Sequence, residues 1–325
     1  MIIIQTPLRV SLFGGGTDFP AYYLEHGGCV LSSAIDKYIF VTIKKRFDDK
    51  LRIGYTRTEM IDSVAEIKHE LIREALRLTG IEKAVEITTM GDIPDQGSGL
   101  GSSSTVTVGA LHAMYAYKKE LVLTERLAQE ACHIEREVLG KPIGIQDQYI
   151  AAYGGLRFME FTTGGEIHTR RIELDDRTMR RLSENLLLFF TGVTRKADTI
   201  LEEQKSNIPD KSSILSEMKH IAYAACCELQ NKNIDAIGTL LHESWLLKKQ
   251  LASQISNSAL DDMYDKARKA GAIGGKISGA GGGGFLLLYV PSGNHESVRD
   301  ALKGYQEYPF ALGQDGSKVI FDYHR

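Results

Sequence analysis

The sequence predicts an α+β protein of two domains, and three observations carry that expectation. Its 325 residues exceed what one minimal core needs and suit two domains of ordinary size. Strand and helix patterns interleave in the first half, whereas in the second a strand precedes a run of helices and further strands follow. Between them lies a polar helical segment, "DDRTMRRLSEN" at 175–185, which reads as the seam, so the domains are expected at 1–183 and 184–325.

Element by element, "MIIIQTPLRVSLFG" is a β-branched run with a proline break, and "KYIFVTIKKRF" alternates apolar and polar residues at period two. Both predict strands. From Ile61, the residues Val64, Ile67, Leu71, Ala75 and Leu78 recur at helical spacing, with Gly80 as a C-terminal stop and "AVEITTM" as the next strand. After a glycine-serine loop, Val108, Leu111 and Tyr115 line one helical face. Thr124 then caps a second helix carrying Leu127, Ala131, Ile134 and Val138, which ends at Gly140. "GGLRFMEF" and "GEIHTRRIEL" form a strand pair. Beyond the seam come the strand "LLLFFTG", three long helical segments between Arg195 and Gly271, the strands "AIGGKIS" and "GGFLLLYV", a short helix near 295–302 and a last strand, "SKVIFDY".

Composition narrows the function. With 39 basic against 42 acidic residues, a net charge of −3 and no basic run, the chain offers no electrostatic footprint for nucleic acid or an anionic membrane. A small-molecule partner is expected. The longest apolar runs, such as "FLLLYV", are far shorter than a membrane span, and no basic region precedes the N-terminal isoleucines, so a cytoplasmic protein is expected. The cysteines, Cys29, Cys132, Cys226 and Cys227, lack metal-ligand spacing and read as small buried thiols.

The stretch "PDQGSGLGSSSTVT" at 94–107 runs glycines and serines straight into a helix. A helix N-terminus presents unpaired N–H donors and the positive end of the macrodipole, and a loop without bulky side chains lets phosphate approach them. The serines can cap the helix, bond phosphate oxygens or coordinate magnesium. Two familiar phosphate motifs are excluded by inspection. Lys141 is followed by Pro142 and Lys276 by Ile277, so neither completes a Walker loop, and the GxGxxG at 279–284 leads into a strand rather than a helix.

Three separated stretches in a fixed order carry a stronger signal: "PLRVSLFGGGTD" at 7–18, "GSGLGSSS" at 97–104 and "KISGAGGGG" at 276–284. Together they resemble the three signature motifs of the GHMP small-molecule kinases. That resemblance spans nearly the whole chain and implies an ATP-dependent kinase with a ribosomal-protein-S5-like N-terminal domain, a ferredoxin-like C-terminal domain and an active site between them.

By this resemblance Gly97, Ser98, Gly99, Leu100, Gly101, Ser102, Ser103 and Ser104 bind ATP, with Ser103 as a magnesium ligand. "HIEREVLGKPIGIQDQYIAAYGG" at 133–155 resembles the catalytic segment of galactokinase-like members, which makes Glu135 the metal carboxylate and Asp147 the general base, while Glu137 remains a solvated helix residue. Arg9 matches the family arginine that approaches that base and the transferring phosphoryl group. The implied cofactors are ATP and Mg2+. Where galactokinases carry Gly-Glu-His-x-Asp, this chain has "GGGTD", which resembles the D-glycero-D-manno-heptose 7-phosphate kinases and the kinase domain of L-fucose kinases. Gly16, Thr17 and Asp18 are therefore expected at the acceptor, together with Gly281 and Gly282 of the third motif. Arg195 and Lys196, in the heptose-kinase-like "FFTGVTRKAD", are expected to meet a sugar phosphate. The expected reaction is phosphorylation of an anomeric hydroxyl, with a fucose or hexose 1-kinase, or a catalytically silent sensor on the same fold, as the alternatives.

Overall fold

The structure is a computed structural model that describes residues 1–93, 97–194 and 197–323. The chain opens with β1 (Ile2–Phe13), α1 (Pro20–His26) and β2 (Gly28–Lys45), followed by the β3 (Leu51–Gly54) and β4 (Thr58–Ile61) hairpin, α2 (Glu70–Thr79) and β5 (Val85–Gly91). Pro7 does not break β1. The strand runs through it, and the ladder to β2 shifts register between Pro7 and Arg9, which accommodates a residue without an N–H. The helix expected from Ile61 begins only at Glu70, because Ile61 belongs to β4 and Val64–Glu66 forms a 3-10 turn. Its predicted stop is present, with Gly80 in the left-handed conformation.

Next come α3 (Ser102–Lys118), α4 (Thr124–Cys132), α5 (Gln146–Tyr153), the β6 (Leu156–Phe161) and β7 (Ile167–Arg171) pair, and α6 (Asp176–Glu184). Val108, Leu111 and Tyr115 bury one face of α3 as expected. Thr124 is the first helical residue rather than the cap, which falls on Leu123. After Cys132 the helix widens into one π turn, His133–Val138, closed by the bond from Leu139 N–H to the Ile134 carbonyl. The wider turn shifts the helical face. Ile134 and Glu135 are both buried, while Val138, expected on the apolar stripe, is exposed.

The remainder is β8 (Leu186–Phe190), α7 (Ala197–Ser206), α8 (Ile208–Gln230), α9 (Asp235–Lys248), α10 (Ser258–Lys269), β9 (Gly274–Ile277), β10 (Phe285–Tyr289), α11 (His295–Ala301), β11 (Gln306–Glu307) and β12 (Lys318–Asp322). Four helices thus occupy the stretch read as three. Cys227 is exposed, unlike the other three cysteines.

Two sheets organise the molecule. The larger follows the order β12-β1-β2-β5-β3-β4, with β6 on the first half of β2 and β7 beyond it; the smaller is β11-β8-β10-β9, antiparallel throughout. The last strand, numbered within the second domain by sequence, hydrogen-bonds to β1 of the larger sheet. In the smaller sheet Leu186, Leu188, Leu287 and Tyr289 join the core that continues from the larger sheet. The alternating residues, Leu187, Phe189, Leu286 and Leu288, join a second core that also takes Phe19 and Tyr22 of the first domain. That double burial explains the unbroken apolar runs "LLLFF" and "FLLLY", where each buried large side chain contributes about 2 kcal/mol. Both cores cross the seam, so the cleft between the sheets has firm walls.

Candidate active site

The three glycine-rich stretches meet at one cavity of about 790 Å3. The register shift at Pro7 aims Arg9 across it. Arg9 Nε and Nη2 donate to Asp147 Oδ1 and Oδ2 at 2.7 and 2.6 Å, and its Nη1 donates to the Gly99 carbonyl at 2.6 Å. The arginine therefore ties the first turn of α5 to the loop that enters α3. Asp147 keeps 24% of its side chain exposed, enough to reach a ligand, whereas Arg9 is held at 6%.

The loop into α3 is shaped by Gly97, Gly99 and Gly101, all at positive φ. At Gly99 the requirement is also spatial, because a Cβ there would lie 2.4 Å from the Ser278 carbonyl of the third stretch. No serine caps α3. Its N-cap is Gly101, and the first intrahelical bond is Thr105 N–H to the Gly101 carbonyl, which leaves the N–H groups of Ser102 to Ser104 facing outward at the positive end of the helix. Ser102 and Ser103 line the cavity, and Ser98 Oγ lies 3.0 Å from Ser102 Oγ. Leu100 instead packs into the core and offers its carbonyl to Arg9 N–H at 3.0 Å. Ser104 is also buried, beneath the cavity rather than on its wall.

Ser104 and Ser103 both hydrogen-bond Glu135, and Gln148 Nε2 donates to Glu135 Oε2 at 2.7 Å. Burial, with a smaller push from Asp147, raises the Glu135 pKa to about 7 against these hydrogen bonds. Its holding groups are all neutral. A hard divalent cation would supply the positive charge that such a carboxylate calls for, and carboxylate plus hydroxyl oxygens are donors that magnesium accepts. Among the described residues no group of three or more His, Cys, Asp or Glu side chains could hold a metal ion by itself, so a metal here would depend on ligand oxygens.

Asp18 is buried on the opposite wall. Its Oδ1 accepts from Gly16 N–H at 2.9 Å and its Oδ2 from Gln146 Nε2 at 3.0 Å. Gly144 lies so close that a Cβ would sit 1.9 Å from Asp18 Oδ2. Thr17 lies beneath the loop, where its hydroxyl donates to the Gly14 or Cys29 carbonyl and accepts from Cys29 N–H, so it shapes the loop without lining the cavity. Gly281 and Gly282 turn toward Ile255; the third stretch reaches the cavity through Gly279 and Ala280. Arg195 and Lys196 lie outside the described residues.

Sequence reasoning missed Ser11, Gln146, Gln204 and Lys248, which complete this wall from four separate elements. Ser11 Oγ and Gln146 Oε1 are buried and have no hydrogen-bond partner among the described residues. Two orphaned polar atoms on a cavity wall fit an acceptor rich in hydroxyl groups. At the far end Ile39, Tyr55, His69, Met90 and Val106 make a less polar recess, in which Tyr55 and His69 meet edge to face.

A helix N-terminus stripped of side-chain caps, a buried metal-competent carboxylate and an arginine-held aspartate facing a polar recess define the class: a phosphoryl-transfer enzyme acting on a small molecule. The chain belongs to the GHMP kinase family. The GHMP kinases N terminal domain matches residues 61–155 and the GHMP kinases C terminal domain matches residues 223–306. A D-glycero-alpha-D-manno-heptose 7-phosphate kinase of Campylobacter jejuni is 33% identical, with 97% of each chain covered. The crystal structure of a D-glycero-D-manno-heptose 1-phosphate kinase from Bacteroides thetaiotaomicron superposes with a TM-score of 0.84 at 26% identity over the whole of both chains. The L-fucokinase/L-fucose-1-P guanylyltransferase of Bacteroides fragilis is 28% identical over 87% of this chain, which matches about a third of that protein (34%). The protein is a sugar kinase, an ATP-dependent phosphotransferase. Among the described residues no helix is long and apolar enough to cross a membrane.

Proposed function

We propose that this kinase phosphorylates the anomeric hydroxyl of D-glycero-D-manno-heptose 7-phosphate to the 1,7-bisphosphate, a step toward nucleotide-activated heptose. The observation that carries the reading is the full-length similarity to a heptose 7-phosphate kinase, joined to an acceptor loop in which Gly16 lets Gln204 pack close and Asp18 keeps a buried carboxylate. Asp147 takes the proton of the attacking hydroxyl, and Arg9 offsets charge on the transferring group while orienting the base. The loop at 97–104 cradles the ATP phosphates, and the recess around Tyr55 and Met90 takes the base. Ser103 and Glu135 would hold magnesium, which when bound would neutralise charge on the phosphate chain.

The test is ADP release with Mg-ATP across an acceptor panel, with products identified by phosphorus NMR. The heptose 7-phosphate is expected to give the highest kcat/KM and a new anomeric phosphate signal. Higher kcat/KM with L-fucose or galactose would reassign the acceptor within the same chemistry. ATP binding without turnover on any acceptor would favour a silent sensor.

A further inference from the structure

Lys248, the last residue of α9, ends at the reaction centre from the second domain. It is 4% exposed, lines the cavity and donates from Nζ to the Gly279 carbonyl. Gly279 packs directly on Gly99, whose own carbonyl is held by Arg9. The ammonium therefore sits one backbone layer from the phosphate loop. An ammonium has three donors, and among the described residues Gly279 is its one hydrogen-bond acceptor. Behind it Lys276, on β9, is also buried and reaches the Leu12 carbonyl at 3.3 Å.

Packing alone calls for no charge at this position, because burying an ammonium against one carbonyl costs more than burying a methionine of similar length. The surrounding charges point to a ligand instead. Arg9 on β1 and Lys276 on β9 repel Lys248, while Asp18 in the loop after β1 and Asp147 on α5 attract it. Of those carboxylates Asp147 is already held bidentately by Arg9. Arg9 and Lys248 thus both line a cavity where one carboxylate is already paired, with Lys276 behind them, and an entering phosphoryl group supplies the counter-charge.

We propose that Lys248 is a catalytic residue that donates to the transferring phosphoryl group. The inference rests on the reading of this cavity as the site of phosphoryl transfer, but not on which sugar accepts. In that step the acceptor oxygen forms a bond to the γ-phosphorus and passes its proton to Asp147. The bond from that phosphorus to the β,γ-bridging oxygen breaks, and its electron pair leaves with ADP. Lys248 keeps its protons throughout and offsets charge spread over the equatorial oxygens. Burial, with repulsion from Arg9, lowers the Lys248 pKa to about 8, so the free enzyme loses this charge as pH rises through that value.

Lys248→Met and Lys248→Arg test the proposal against whichever acceptor the wild-type enzyme turns over. In Lys248→Met, kcat is expected to fall roughly 10²-fold, with KM for ATP and acceptor within about threefold and the melting temperature preserved. Lys248→Arg is expected to recover at least about tenfold of that loss and to move the alkaline limb of kcat/KM upward from near pH 8, which a merely structural lysine would not do. A methionine variant with kcat within about threefold of wild type, a loss confined to the acceptor KM, or an alkaline limb unmoved in the arginine variant would each overturn it. If the wild-type enzyme itself turns over no acceptor, the failure belongs to the kinase reading and not to Lys248.

Discussion

The phosphate side and the acceptor side of the cavity are built in different ways. The phosphate side is mainly one continuous stretch, residues 97–104, whose donors are backbone N–H groups at the start of α3. The acceptor side has no such stretch. It is assembled from Ser11 on β1, Gly15, Gly16 and Asp18 in the next loop, Gln146 at the start of α5 and Gln204 on α7. Recognition of a phosphate chain common to every nucleotide triphosphate can be left to backbone, whereas recognition of a particular sugar needs side chains gathered from many elements. Arg9 and Asp147 stand where the two sides join.

The largest effect is expected at that junction. Asp147→Asn is expected to lower kcat by roughly 10² to 10⁴, the usual worth of a positioned general base, while ATP binding measured by calorimetry stays nearly intact. Turnover within a few-fold of wild type would show that Asp147 is not the base and that the two sides meet elsewhere.

A second pair of variants separates the two sides by steric insertion. In Gly99→Ala the new methyl would meet the Ser278 carbonyl at 2.4 Å, and φ there is +74°. In Gly144→Ala it would meet Asp18 Oδ2 at 1.9 Å. Overpacking of this kind costs about 1–3 kcal/mol, so the first is expected to raise KM for ATP roughly 10- to 100-fold and the second to raise KM for the acceptor by a similar factor. If both variants damage both constants equally, the distinction between the sides fails.

The smallest effect concerns the metal. Glu135→Gln and Ser103→Ala are each expected to raise the magnesium concentration for half-maximal rate about 3- to 10-fold, because each weakens one contact to an ion held mainly by phosphate and water. Glu137, exposed and 2.6 Å from His133 Nδ1, serves as the control, and Glu137→Gln is expected to behave as wild type. A magnesium shift in the Glu137 variant but not in the Glu135 variant would mean that the π turn presents the wrong carboxylate.

What the sequence determined by itself is whatever short-range chemistry encodes. Glycine at 97, 99 and 101 marks positive φ because other residues resist it, Gly80 marks a helix end for the same reason, and the spacing of apolar residues marked α3 and the strand pair β6 and β7. Arg9, Asp147, Ser103, Glu135 and Asp18 were named through the resemblance of their stretches to the GHMP kinase motifs, and all five line the one cavity. Other features depended on three-dimensional closure. The π turn that rotates Glu135 inward leaves no mark in local periodicity, since a single extra residue per turn is decided by what the helix packs against. Gln146 reads as an ordinary helix start until Asp18, 128 residues earlier, is laid against it. Lys248 looks like one solvated cation in "LLKKQ", and its neighbour Lys249 does pair with half-buried Asp261. Only the packing of α9 against the third glycine stretch buries Lys248, and burial is what turns a surface charge into one that acts through a low-dielectric cavity.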